Sequence, residues 1–195
     1  MLEQALAFLI ETVFNLFILA ALTRFWMQAL RAPVRNPLSQ FTMALTDFAV
    51  KPFRRLVPGL FKLDLASLAV AWAAEFLLLA ILALLKGYSL ANGPVVSVLL
   101  ILALVKLVRL TVYIIMGAVF IQALLTWVNP YHPVAPFFEA LTRPFLKPFQ
   151  KAVPPIGGVD ITPVLVLIAC QLVLMLPVSW LEQQATAYVA RIALP

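Results

Sequence analysis

The chain has 195 residues, 64% of them hydrophobic and 11% charged, with a formal net charge of +6. That is more apolar surface than one small soluble core hides, which excludes an ordinary soluble domain and points to a bilayer. The basic excess would suit a nucleic acid, but no soluble module remains to build a groove or aromatic platform, so no nucleic acid and instead anionic lipid is the expected partner.

A spanning helix needs about 20 apolar residues, because the hydrocarbon layer is about 30 Å thick and each residue rises about 1.5 Å. The first such stretch covers about residues 6–27 and carries Glu11. Met1-Leu2-Glu3 before it lacks the basic start of a cleaved signal, so this span is expected to be retained. Residues 31–62 follow, rich in proline and basic side chains. There Leu38, Phe41, Leu45, Phe48 and Ala49 recur at helical spacing, which predicts an amphipathic helix lying at the interface. Lys51-Pro52 is expected to break it, since proline lacks an amide donor and disfavours helical angles before it.

Asp64 opens a second span over about residues 65–85, with Glu75 near its middle. After a turn from Lys86 to Gly93, the apolar part of residues 94–106 would reach only about 16 Å as a helix and cannot cross alone. It either extends the third span into one long tilted helix, with a break near Lys106, or forms an interfacial or re-entrant piece; the first is the expectation. The third span covers about residues 107–128, with Lys106 and Arg109 one turn apart.

Residues 129–158 again combine proline with basic side chains, and Phe137, Leu141 and Phe145 predict a second amphipathic helix, broken at Lys147-Pro148. The lone His132 lies in this segment without a second histidine or cysteine near it, so a metal is not expected. Asp160 opens a fourth span over about residues 162–181, which contains the lone Cys170 as a small core residue and Pro177, expected to kink it. Trp26, Trp127 and Tyr131 fall near span ends, where aromatic belts sit.

The two halves repeat one another. Ala44-Leu45-Thr46, Lys51-Pro52-Phe53 and Val57-Pro58 return at a constant offset as Ala140-Leu141-Thr142, Lys147-Pro148-Phe149 and Val153-Pro154, and Asp64 returns as Asp160. Arg24, Arg31, Arg35, Lys51, Arg54, Arg55 and Lys62 are assigned to the first inter-span segment, and Arg143, Lys147 and Lys151 to the second. Ten of the fourteen Lys and Arg residues therefore share one side. The positive-inside rule puts that side in the cytoplasm and both termini outside. The expected architecture is an all-α membrane protein of four transmembrane helices. They form two tandem, like-oriented hairpins, residues 1–93 and 94–195, each with a cytoplasmic amphipathic helix and a proline-containing basic turn.

Thr126-Trp127-Val128-Asn129-Pro130-Tyr131-His132-Pro133, then Leu141-Thr142-Arg143-Pro144-Phe145-Leu146-Lys147-Pro148, then Pro154-Pro155-Ile156-Gly157-Gly158-Val159-Asp160-Ile161-Thr162-Pro163, resembles the YggT family of integral membrane proteins. The first half resembles a weaker copy, with Asp47-Phe48 where the second has Arg143-Pro144. The resemblance implies a bacterial inner-membrane protein with relatives in plastids. It implies roles in osmotic or potassium tolerance, in division and envelope organisation, or in assembling a cytochrome complex. It brings no catalytic residues and no cofactor.

Lys51, Arg54, Arg55, Lys147 and Lys151 follow the amphipathic helices and either fix orientation alone or dock lipid headgroups and membrane partners. Asp64 and Asp160 either cap their helices or form a cation site between the repeats. Intramembrane charge is costly, so Glu75 is expected to pair with Lys106 or Arg109, with Glu11 as a second candidate, in a structural pair or an ion or proton path. No phosphate loop, His-Glu-x-x-His or serine with a base occurs, so no enzyme is expected. Two functions remain: a scaffold or assembly factor, or an oligomeric component of potassium or osmolyte transport.

Overall fold

The computed structural model describes residues 2–56, 63–90, 93–153 and 160–193. Its regular elements are helices: α1 (Leu2–Ala29), α2 (Pro37–Leu56), α3 (Leu65–Leu85), α4 (Gly93–Val128), α5 (Ala135–Ala152), α6 (Thr162–Val173), a π-helical turn (Leu174–Val178) and α7 (Ser179–Ala193). Among the described residues four stretches are long and apolar enough to cross a membrane: Leu2–Ala29, Leu65–Leu85, Gly93–Val128 and Thr162–Arg191. The chain is thus an all-helical protein of multi-pass membrane type.

Local chemistry sets the helix ends. Asn36 Oδ1 accepts the amide of Ser39 at 2.9 Å, and Pro37 follows Asn36, so α2 begins with a capping side chain and a proline in its first turn. Gly87, at φ +78°, closes α3: its amide reaches Leu84 and that of Tyr88 reaches Ala83, the paired bonds that satisfy a helix's last carbonyls. Arg31 does the same for α1 at φ 54° without being glycine, with Ala32 donating to Met27 at 2.8 Å.

Three expectations are corrected. First, α4 runs unbroken through Lys106 for 36 residues. No proline or glycine weakens its ladder there, and the lysine finds a carboxylate inside the bundle. At about 1.5 Å per residue it is about 54 Å long, so it tilts or stands beyond the apolar layer. Second, neither Lys51-Pro52 nor Lys147-Pro148 ends its helix: Pro52 lies within α2, and Pro144 and Pro148 lie within α5. All three rings are on the exposed face, where a helix bends most easily, while Val50 and Leu146 anchor the opposite face. The chain turns only after Leu56 and Ala152; Val57-Pro58, Lys62 and Pro154 to Val159 lie outside the described residues. Third, Arg24 belongs to no loop, being inside α1 and 3% exposed. Pro177 does disturb the fourth span, as a single π turn through which the helix continues to Ala193.

α4 is the common strut. Its first half packs Val95, Leu99, Leu102 and Ala103 on Leu79 and Ala83 of α3 and Val189 of α7. Leu107 then meets Ile18, Leu22, Ala71 and Leu78 of α1 and α3. Farther on, Val119 meets Leu146 of α5 and Val166 of α6. Near the same end, Ala118 joins Phe137, Phe138 and Leu141 of α5 with Met27 and Ala32 at the end of α1. That last cluster brings α5 to the end of the bundle from which α2 departs.

Candidate functional site

α2 and α5 share sequence but pack differently. On α2 the buried face is small and polar: Ser39, Thr42, Thr46 and Val50 turn inward, while Phe41 and Phe48 are exposed, Phe48 at 73%. Thr42 and Thr46 return their hydroxyls to the carbonyls of Leu38 and Thr42, both at 2.8 Å, so the face is polar without being unsatisfied. On α5 the corresponding Phe137 and Leu141 are buried together with Phe138, which stands where α2 has Thr42.

Against the polar face of α2 lies an ion-pair cluster. Arg24 Nη1 donates to Thr46 Oγ1 and to Asp47 Oδ1, each at 2.8 Å, and its Nε stands 3.8 Å from Asp64 Oδ2. Arg54 grips the same carboxylate with both ends of its guanidinium, Nε to Oδ1 at 3.3 Å and Nη2 to Oδ2 at 2.6 Å. Ser67 Oγ adds a bond to Asp64 Oδ2 at 2.6 Å, and Lys51 Nζ lies 2.8 Å from Asp47 Oδ2. Burial pushes the Asp64 carboxyl up, but the Arg54 and Ser67 hydrogen bonds outweigh it and hold the group below its ordinary value. The hydrogen bonds from Lys51 and Arg24 hold Asp47 low in the same way.

Asp64 precedes α3, yet its carboxylate makes no capping bond to that helix; the guanidiniums have taken it. This corrects the capping expectation at Asp64. Asp160 keeps a local role, accepting the Thr162 amide at 2.9 Å and the Thr162 hydroxyl at 2.6 Å, with Gln150 Nε2 at 3.1 Å. Burial raises the Asp160 carboxyl and these bonds lower it further, so it too stays below its ordinary value. Gln150 occupies the position of Arg54 and Asp160 that of Asp64, so there a neutral amide stands where the first half has a guanidinium.

Of the five basic residues singled out for docking, Lys51 and Arg54 are therefore committed to Asp47 and Asp64. Arg55, Lys147 and Lys151 are exposed and make no ion pair among the described residues.

A second polar region lies at membrane depth. Glu75 is 1% exposed, with Oε1 3.7 Å from Lys106 Nζ. Arg109 pairs instead with Glu182 of α7, Nη2 to Oε2 at 2.7 Å. Sequence reasoning missed Glu182, which falls one residue past the expected end of the fourth span. The available signal was two intramembrane cations on α4 against a single acidic residue in the second span. Lys106 also borders a cavity of about 260 Å³, together with Glu11, Lys86, Tyr88 and Thr186. Among the described residues no cluster of three or more His, Cys, Asp or Glu could hold a metal ion. His132 is exposed in the loop before α5, where its Nδ1 accepts the Val134 amide at 3.4 Å.

A family model described as CCB3/YggT matches residues 3–85 and 101–181. An uncharacterized protein of Pseudomonas aeruginosa is 34% identical over 180 residues, covering 91% of this chain and 90% of its own. A protein of Vibrio alginolyticus, described as uncharacterized and from the proC 3' region, is 32% identical over 171 residues, covering 86% of this chain and 90% of its own. The uncharacterized protein YggT of Escherichia coli K12 is 28% identical over 166 residues, covering 85% of each. No solved structure matches.

Proposed function

The chain belongs to the CCB3/YggT family, and on that premise we propose that it is a non-enzymatic scaffold of the bacterial inner membrane. Its two short helices hold a basic face against anionic headgroups and present it to other membrane proteins during assembly. The observation that carries this reading is the cluster of Met27 and Ala32 with Phe137, Phe138 and Leu141, which gathers α1's end and α5 at one end of the bundle. Four crossings also return both inter-span segments to one side by parity alone. The positive-inside rule makes that side the cytoplasm, with both termini outside. Arg55, Lys147 and Lys151 then supply cations that no carboxylate among the described residues consumes, each worth about 1 kcal/mol beside an anionic leaflet.

Charge reversal of Arg55, Lys147 and Lys151 to Glu is expected to weaken co-purification of anionic lipid and capture of neighbours by crosslinking in native membranes. Unchanged capture with unchanged lipid content overturns the scaffold reading.

A second reading, transport of potassium or another osmolyte by an oligomer, is favoured by the Glu75–Lys106 and Arg109–Glu182 pairs and by the cavity that Lys106 shares with Glu11. Four spans enclose little space, so the path would form between copies. Ion flux into vesicles holding only the purified protein, abolished by Glu75→Ala, would favour this reading; a protein that passes no ions and is indifferent to Glu75→Ala counts against it.

A further inference from the structure

A groove of about 540 Å³ runs along the outside of the bundle between α1, α2 and α3. Its walls are Phe14 and Phe17 on α1 and Phe48 and Phe53 on α2, and its floor on α3 is made by Ala73 and Ala74. We propose that this groove holds one acyl chain of an anionic phospholipid, with Arg55 at its mouth binding the phosphate. This deepens the scaffold reading and rests on it for the sidedness of α2.

Four observations select this occupant. The lining is carbon throughout, and the volume falls within the span of about 300–1,000 Å³ typical of specific small-ligand sites rather than of a flat lipid-facing surface. The groove extends along α3 as far as Leu77, about 18 Å from the first residue of that helix, which is close to the roughly 15 Å depth of one leaflet. An acyl chain is apolar, unbranched and of that length. The rim is open to lipid rather than closed by protein, since Phe48 and Val13 are exposed while the Phe48 ring rests 5.4 Å from that of Phe17.

Charge completes the argument. α2 carries Lys51, Arg54 and Arg55 in its last turns, the end at which Arg54 meets Asp64 just before α3. Lys51 and Arg54 are held by Asp47 and Asp64, which leaves Arg55. Arg55 stands two turns beyond Phe48 on the same edge of the helix and is exposed. A guanidinium there faces the level of the phosphates and is suited to bidentate binding.

The test uses the full-length protein in phosphatidylcholine vesicles containing a small fraction of phosphatidylglycerol with a photoreactive diazirine near the end of one acyl chain. The same diazirine on phosphatidylcholine serves as control. After illumination, labelled peptides are expected to concentrate on Phe48 and on the Ala73 to Leu77 stretch, more from the phosphatidylglycerol probe than from the control. Ala73→Phe, which fills the floor, should lower that labelling several-fold and leave labelling of Leu172 on α6 unchanged. Arg55→Glu should abolish the preference for phosphatidylglycerol while the control labelling stays the same.

Labelling spread over exposed apolar residues in proportion to their exposure, or equal labelling by the two probes in the wild type, overturns the proposal. Should Ala73→Phe fail to fold, Arg55→Glu decides alone, because its side chain is exposed. Lys147→Glu with Lys151→Glu separates this site from the scaffold reading: those changes weaken partner capture there and leave groove labelling intact. An empty groove with normal partner capture sinks only the lipid site.

Discussion

Asp64 shows at the scale of one residue how position alone misleads. An Asp just before a helix is a capping signal in sequence, because its oxygen can accept orphan amides. Here the carboxylate is 5% exposed and draws two guanidiniums, from Arg24 below and Arg54 above. A capping amide offers this carboxylate only a dipole, whereas the Arg54 guanidinium offers a full opposite charge through two bonds, so the ion pair takes precedence. Its carboxyl is held below the ordinary value of 3.8, so the folded state binds its proton less readily than the unfolded chain. The stability it contributes is therefore complete above that ordinary value and is lost as the pH falls through the lower folded value. Asp64→Asn should cost about 1–3 kcal/mol near neutrality, because it removes the bidentate partner of Arg54 and leaves buried Arg24 with Asp47 alone. In thermal unfolding followed by circular dichroism in detergent, the variant should converge with the wild type at strongly acid pH. A constant difference across the whole range would remove Asp64 from the cluster's energetics. Arg24 was misplaced for a related reason: a basic residue near a predicted span end looks like a loop residue until a partner on another helix is visible.

At the scale of elements, hydrophobic period placed α3 within a residue of its ends but could not place proline effects. Period reports which face is apolar; whether a proline breaks a helix depends on whether its face is free to bend and whether neighbours are anchored. Pro52, Pro144 and Pro148 lie on exposed faces and are tolerated. Pairing between elements follows the same division. The cost of an intramembrane charge demands a partner for Glu75, but two cations one turn apart on α4 are equally close in sequence. Packing gives Lys106 to α3 and Arg109 to Glu182 on α7, so α4 is fastened to both flanking spans by separate pairs. A double-mutant cycle checks this. Glu75→Gln and Lys106→Met should each destabilise, and together should cost less than the sum of the two by about 0.5–3 kcal/mol. Glu75→Gln combined with Arg109→Met should be close to additive; strong coupling there would mean that the pairs are shared.

At the scale of the whole molecule, the sidedness proposed for α2 and α5 has a direct test. In a Cys170→Ala background, single cysteines at Arg55 and Lys147 should react with a membrane-impermeant maleimide only in inverted vesicles. Both should be protected in intact spheroplasts. Reaction from opposite faces would remove the shared basic surface and the scaffold reading with it.

The sequence by itself determined that the protein is helical and membrane-type, where its four apolar stretches lie and which family it belongs to. Those properties follow from composition, apolar run length and local motif, all of which act over one to a few turns of chain. Only the tertiary structure decided that Arg24 is a buried counterion, that α2 buries Thr42 where α5 buries Phe138, and that a groove is left between α1, α2 and α3. Each of these depends on which side chains from distant segments compete for the same space and the same charge. Segments of like sequence can settle that competition differently where positions such as Thr42 against Phe138 change what the neighbouring span must accommodate.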